Sequence, residues 1–151
     1  MAPSREQLLK TSNLFLEAFN GFTPESVVKF RSAKCSWRLL PDTLETPAQN
    51  NAEYAKLIGH LQGLMPKFRV YMVDGFEPAI DVVTRKVTLH LKSYSETKVG
   101  LYQNEYVWVM TFNEDGTEID EIFEFADSLY TKEWLPRLKT AAEEFAKNKG
   151  N

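Results

Sequence analysis

The chain has 151 residues, of which 43% are hydrophobic, 13% aromatic and 26% charged, and 18 basic against 21 acidic side chains leave a net charge of −3. That size and balance suit one globular domain, exclude a disordered or fibrous chain, and provide no basic surplus to attract nucleic acid or an anionic membrane. The single cysteine, Cys35, cannot close an internal disulfide, no apolar run reaches the ~18 residues of a membrane span, and the first residues lack a signal-peptide core, so a soluble cytoplasmic protein is expected.

Leu8, Leu9, Leu14, Phe15, Ala18 and Phe19 recur at helical spacing and predict a helix over residues 4–19, capped by Ser4 and stopped by Asn20-Gly21. Thr23-Pro24-Glu25 has the chemistry of a helix start and predicts a short second helix that ends near Arg31. Residues 35–40 alternate and stop at Pro41, as a short strand does. Asn50 caps a third helix whose stripe of Tyr54, Leu57, Ile58, Leu61, Leu64 and Met65 closes at Pro66.

Beyond Lys67 the period changes to two, predicting strands over 68–76, 84–97, 101–112 and 117–127, with hairpin turns at 98–100 and 113–116. Residues 129–147 form a closing amphipathic helix interrupted by Pro136. Helices followed by a long meander predict one α+β domain over residues 1–151. Its sheet is expected to be strongly curved, antiparallel and wrapped around the N-terminal helices as a cone with a pocket at its mouth.

In the third strand, Tyr102, Asn104, Tyr106, Trp108, Met110 and Phe112 share one face while Leu101, Val107 and Val109 share the other. Both faces thus read as covered, the second by another copy of the chain, which predicts a homodimer. In the fourth strand, Ile119, Glu121, Phe123, Phe125 and Asp127 place two carboxylates among aromatics, and the opposite face with Glu124 reads as wet.

No Gly-rich phosphate loop, GxSxG, HExxH or CxxC occurs, and His60 and His90 have no spaced partner, so no metal site is expected. Carboxylates beside apolar neighbours remain. Burial raises a carboxyl pKa and makes it a general acid or base near neutrality. Glu121 is the cleanest such case, although it could equally pair with a lysine. Asp127 could face a ligand or cap the last helix, and Glu124 reaches the apolar side only where a bulge reverses the register.

Glu53 has capping-box spacing from Asn50 and shares a helix side with His60. Arg31 could neutralise an enolate or bind a carboxylate, and Arg38, beside Trp37, could do the same. Asn104 among aromatics is either a satisfied core amide or a hydrogen-bond donor to a ligand.

The segments Arg31-Ser-Ala-Lys-Cys-Ser-Trp-Arg-Leu-Leu-Pro41 and Asn51-Ala-Glu-Tyr54, with Gly100-Leu-Tyr-Gln-Asn-Glu-Tyr106, Asp115-Gly-Thr-Glu-Ile119 and Glu124-Phe-Ala-Asp-Ser128, resemble the fungal SnoaL-like proteins of the nuclear transport factor 2-like superfamily. The resemblance spans about residues 5–138 and departs from the family at Trp37. It implies the cone fold with a deep pocket, a homodimer, and isomerase, cyclase or related chemistry on a hydrophobic polyketide- or meroterpenoid-like substrate, without metal or organic cofactor. It also implies proton transfer by an Arg and a Glu of the helical half, mapped on Arg31 and Glu53, with Glu121 or Glu124 as the sheet acid. Trp37, Arg38, His60, Tyr102, Asn104, Tyr106, Trp108, Phe123 and Asp127 are then the expected substrate contacts. The other reading is a noncatalytic pocket domain that binds a small molecule or a protein.

Overall fold

Ser4 starts the first helix by accepting a hydrogen bond from the Gln7 backbone N–H on its Oγ at 3.0 Å. The computed structural model describes residues 2–149. Helix α1 runs Arg5–Phe19 and buries Leu8, Phe15, Leu16 and Phe19 against the sheet. The helix expected next is a single 3-10 turn, Ser26–Val28. Thr23 and Ser26 satisfy each other's backbone N–H through their hydroxyls at 3.0 and 2.9 Å, and Phe30, with φ of 65°, then turns the chain into a strand. Arg31 therefore opens strand β1 (Arg31–Leu40) instead of closing a helix.

Helix α2 (Asn51–Leu61) begins with a complete capping box: Asn50 Oδ1 accepts the Glu53 N–H at 2.8 Å, and Glu53 Oε1 accepts the Asn50 N–H at 3.0 Å. The remaining strands are β2 (Arg69–Met72), β3 (Ala79–Asp81), β4 (Lys86–Thr97), β5 (Gly100–Tyr102), β6 (Glu105–Phe112) and β7 (Ile119–Ala126). Helix α3 (Ser128–Lys149) follows them. The strand expected over 101–112 is thus divided. Asn104 interrupts it, holding the Glu105 N–H with its own side-chain oxygen at 2.8 Å.

The strands form a curled sheet in the order β1-β7-β6-β4-β2, with β3 and β5 also paired to β4. All these pairings are antiparallel except one: β1 joins β7 in parallel, which makes the sheet mixed. Val87, Leu89 and Leu91 of β4 and Trp108, Met110 and Phe112 of β6 point inward, each at most 1% exposed. They meet Phe15 and Phe19, and Phe19 lies edge-on to Trp108 with ring centroids 5.2 Å apart.

A bulge in β7 decides which residues face the cone. Thr111 stands opposite Glu121 and Phe112 opposite Ile119, so Asp120 is left without a partner in the ladder. One extra residue reverses the alternation beyond it. Ile119 and Ile122 are both fully buried, Glu124 continues the inner face, and Phe125 is 47% exposed on the outer one. The expected common face of Ile119, Glu121, Phe123 and Phe125 does not exist.

The β6–β7 turn is tied to α1 through Gly116, whose carbonyl accepts from Thr11 Oγ1 at 2.6 Å. Gly116 has φ of 75°, and a Cβ there would stand 2.6 Å from Pro3 Cβ. Gly116→Ala is expected to cost about 2 kcal/mol or more, because it adds a clash to a left-handed backbone. The urea midpoint, read with an unchanged m-value, measures this loss.

Candidate active site

Between the concave sheet and the helices lies a cavity of about 490 Å³. Its walls come from the end of α1, from β1, α2, β5, β6 and β7, and from the inner side of α3. The lining is mostly apolar. Trp37 and Tyr54 form one side as a stacked pair, ring centroids 4.4 Å apart and 14° from coplanar. Leu135, Leu138 and Ala142 bring α3 across the other side.

Among the described residues, Glu124 is the one acidic residue lining this cavity. Trp108 Nε1–H donates to its Oε2 at 2.9 Å. Burial pushes the carboxyl up from 4.5 to about 7, against the opposing pull of the indole N–H groups of Trp108 and Trp37. Near neutrality the group is therefore divided between acid and carboxylate, the condition in which one residue can both accept and return a proton. Tyr102, Asn104, Tyr106 and Thr131 add a polar strip to the same cavity.

Of the residues expected from sequence, Trp37, Tyr102, Asn104, Tyr106 and Glu124 line the cavity, and His60 joins them as an exposed residue of α2. Trp108 is 1% exposed and reaches the site through its hydrogen bond to Glu124. Arg31 is 5% exposed and does not line the cavity. Its guanidinium instead stacks 5.4 Å from the Trp37 ring and 5.0 Å from the Tyr54 ring, and its nitrogens have no hydrogen-bond partner among the described residues.

The other expected site residues lie elsewhere, each for a visible reason. Glu53 is occupied by its capping box at the start of α2. Glu121 and Phe123 are turned outward by the bulge at Asp120. Arg38 is exposed and paired with Asp42 at 2.6 Å. Asp127 caps α3, accepting the Tyr130 N–H at 3.1 Å. Cys35 is buried outside the cavity, and burial raises its thiol pKa.

Sequence reasoning missed the contribution of α3. Leu135, Leu138 and Ala142 have helical spacing, which could have marked a wall, but amphipathic spacing does not say whether a helix covers a sheet or a cavity. Among the described residues no group of His, Cys, Asp and Glu has the arrangement of a metal site.

No family model matches the sequence. Over 142 residues the chain is 35% identical to the austinoid biosynthesis clusters protein H of Penicillium brasilianum, covering 92% of this chain and 95% of that protein. Among solved structures, the pinacolase BvnE from Penicillium brevicompactum superposes with a TM-score of 0.87 at 38% identity, covering 90% of this chain and 93% of that one. AusH from Aspergillus nidulans does so with a TM-score of 0.79 at 36% identity, over 83% and 87% of the two chains. With this extent of similarity, the chain belongs to the fungal SnoaL-like proteins of the nuclear transport factor 2-like superfamily that include the austinoid cluster H proteins.

Proposed function

We propose that the protein is an isomerase or cyclase of fungal secondary metabolism that rearranges a bulky apolar polyketide- or meroterpenoid-like intermediate using its own side chains. One observation carries this reading: a carboxyl with a pKa of about 7 opens into an apolar cavity of about 490 Å³. As a carboxylate, Glu124 takes a proton from the bound molecule and, once protonated, returns it at another position. Such a step contributes about 10²–10⁴-fold. Aromatic walls exclude water, which would otherwise quench the developing charge. A relative that is a pinacolase and others from austinoid clusters support rearrangement of this kind.

Arg31 contributes through the rings on which it lies, fixing the Trp37–Tyr54 wall and placing positive charge behind it. Outside the cone, Leu101, Val107 and Phe125 are 54%, 38% and 47% exposed. We read that face as the contact of a cytoplasmic homodimer of single-domain chains. Sedimentation of a monomer would overturn this part.

The catalytic reading is tested by deleting the gene in its host. The intermediate should accumulate, and the purified protein should convert it. The sign of the pH dependence is fixed by Glu124 acting first as base: kcat/KM should rise tenfold per pH unit below about 7 and level off above it. A rate that falls through that range would assign the first step to the protonated acid, and an unchanged metabolite profile would overturn the function.

A further inference from the structure

The residues that line the cavity are not equally covered, and those open to solvent locate its mouth. Pro47, then Leu57 and His60 of α2, and Leu135, Lys139 and Ala142 of α3 are all exposed while lining it. The two helices converge beside this opening. There the Phe145 ring covers Gly63 so closely that a Cβ on the glycine would stand 3.3 Å from the ring Cζ. The mouth is therefore a slot between α2 and α3, and the sheet with Glu124 forms the wall across the cavity from it.

The charged groups of the cavity are divided by position. The sheet supplies a carboxylate, Glu124, whereas the mouth supplies only basic side chains, His60 on α2 and Lys139 on α3. Neither of them makes an ion pair among the described residues. Glu143, one turn along α3, neither lines the mouth nor pairs with Lys139. Lys139 thus brings an uncommitted ammonium to an apolar opening, and its hydrocarbon stem extends the apolar rim. This local sign is opposite to that of the whole chain, whose net charge is −3.

We propose that the mouth is a carboxylate-binding subsite, which makes the ligand of the cavity an amphipathic acid, its apolar body inside and its carboxylate between Lys139 and His60. The inference deepens the reading of the cavity as the reaction site and rests on it. Two costs fix the orientation. A carboxylate at the mouth keeps part of its hydration, whereas one pushed inward would lose it among apolar walls. An inward carboxylate would also approach Glu124, and two like charges in one poorly solvated site oppose each other. Binding with the acid outward leaves the apolar end of the ligand at Glu124. The carboxylate is then a handle that aligns the body against the sheet wall without entering the chemistry.

Three probes of equal chain length, decanoate, decanol and decylammonium, test this by calorimetric titration at low salt and about pH 7, where the acid and the amine are both charged. Decanoate should bind about fivefold more tightly than decanol, the upper range for an exposed ion pair, and decylammonium more weakly than either. The net charge and Glu124 both favour the reverse order, so a preference for the anion reports the mouth. Salt at about 0.5 M should shrink that preference by screening. Lys139→Gln should lose most of it while decanol affinity is kept, and Lys139→Glu should reverse it in favour of decylammonium. Both replacements are helix formers at an exposed position, so the fold is retained.

Equal binding of the three probes to the wild-type protein, or a preference for the cation, would overturn the subsite and leave the catalytic reading standing. An anion preference that survives in the Lys139→Gln/His60→Gln double variant would do the same. The catalytic reading fails separately: an unchanged metabolite profile on gene deletion would remove it and leave an anion preference intact. Binding of no probe at millimolar concentration would overturn both.

Discussion

Glu124→Gln is expected to slow conversion of the accumulated intermediate by about 10²–10⁴-fold, the worth of a positioned acid or base, while making the protein harder to unfold at about pH 8. The two effects have one origin. In the folded chain the carboxyl ionises at about 7 instead of 4.5, so the fold is penalised whenever the group is charged. Below about pH 4.5 both states hold the proton and the penalty is absent. As pH rises, the unfolded chain releases its proton first, and stability falls until the folded pKa is passed. Above it the full penalty is about 3 kcal/mol. Glutamine is neutral throughout, and its Oε1 still accepts from Trp108. Melting curves of the two proteins should therefore coincide at about pH 4 and separate with rising pH, the variant melting higher. Full-rate conversion by the variant, or melting curves that stay parallel, would remove Glu124 from its role.

This opposition of activity and stability is what a buried base in an apolar cavity requires. The cavity raises the pKa into the useful range by making the charge unwelcome, and the same desolvation weakens the fold. Trp108 and Trp37 moderate it with N–H donors that favour the charged form. The ring of Trp37 also lies 5.4 Å from the Arg31 guanidinium. That buried cation lies against an aromatic wall of the cavity and does not itself line it.

Much of this was readable before the structure. The Ser4 and Asn50 caps, the inward face of Tyr102, Asn104, Tyr106 and Trp108, and the cone itself follow from spacing and chain order, because local capping and alternation depend on near neighbours. The choice between Glu121 and Glu124 does not. It turns on one unpaired residue, Asp120, and a bulge has no signature in alternating apolar residues that would survive either parity. Thr23-Pro24-Glu25 has the chemistry of a helix start and predicts a helix that ends near Arg31. The positive φ at Phe30, which ends that possibility, is fixed by tertiary context. The wall built by α3 was equally hidden, since Leu135 and Leu138 carry the pattern of any surface helix. Local chemistry thus points to acidic and aromatic side chains, and long-range register decides which of them line the cavity.

Trp108→Phe is expected to move the pH profile rather than only lower it. The Trp108 N–H lies 2.9 Å from Glu124 Oε2, and a hydrogen bond to a charged group contributes about 1.5–3 kcal/mol. That donor stabilises the carboxylate and not the neutral acid, so its loss raises the carboxyl pKa beyond about 7 by roughly one to two units. The rising limb of kcat/KM should shift by the same amount. At about pH 7 the variant should turn over about tenfold or more slowly than the wild type, and at about pH 9 the difference should largely close. Packing is also lost, because Trp108 is 1% exposed and its ring meets Phe19 and Trp37 with centroids 5.2 and 5.0 Å away. A packing defect alone, however, lowers the rate by one factor at every pH. Recovery toward alkaline pH is the mark of the missing donor, and a profile that drops without moving would show that Trp108 supports the cavity but does not tune its base.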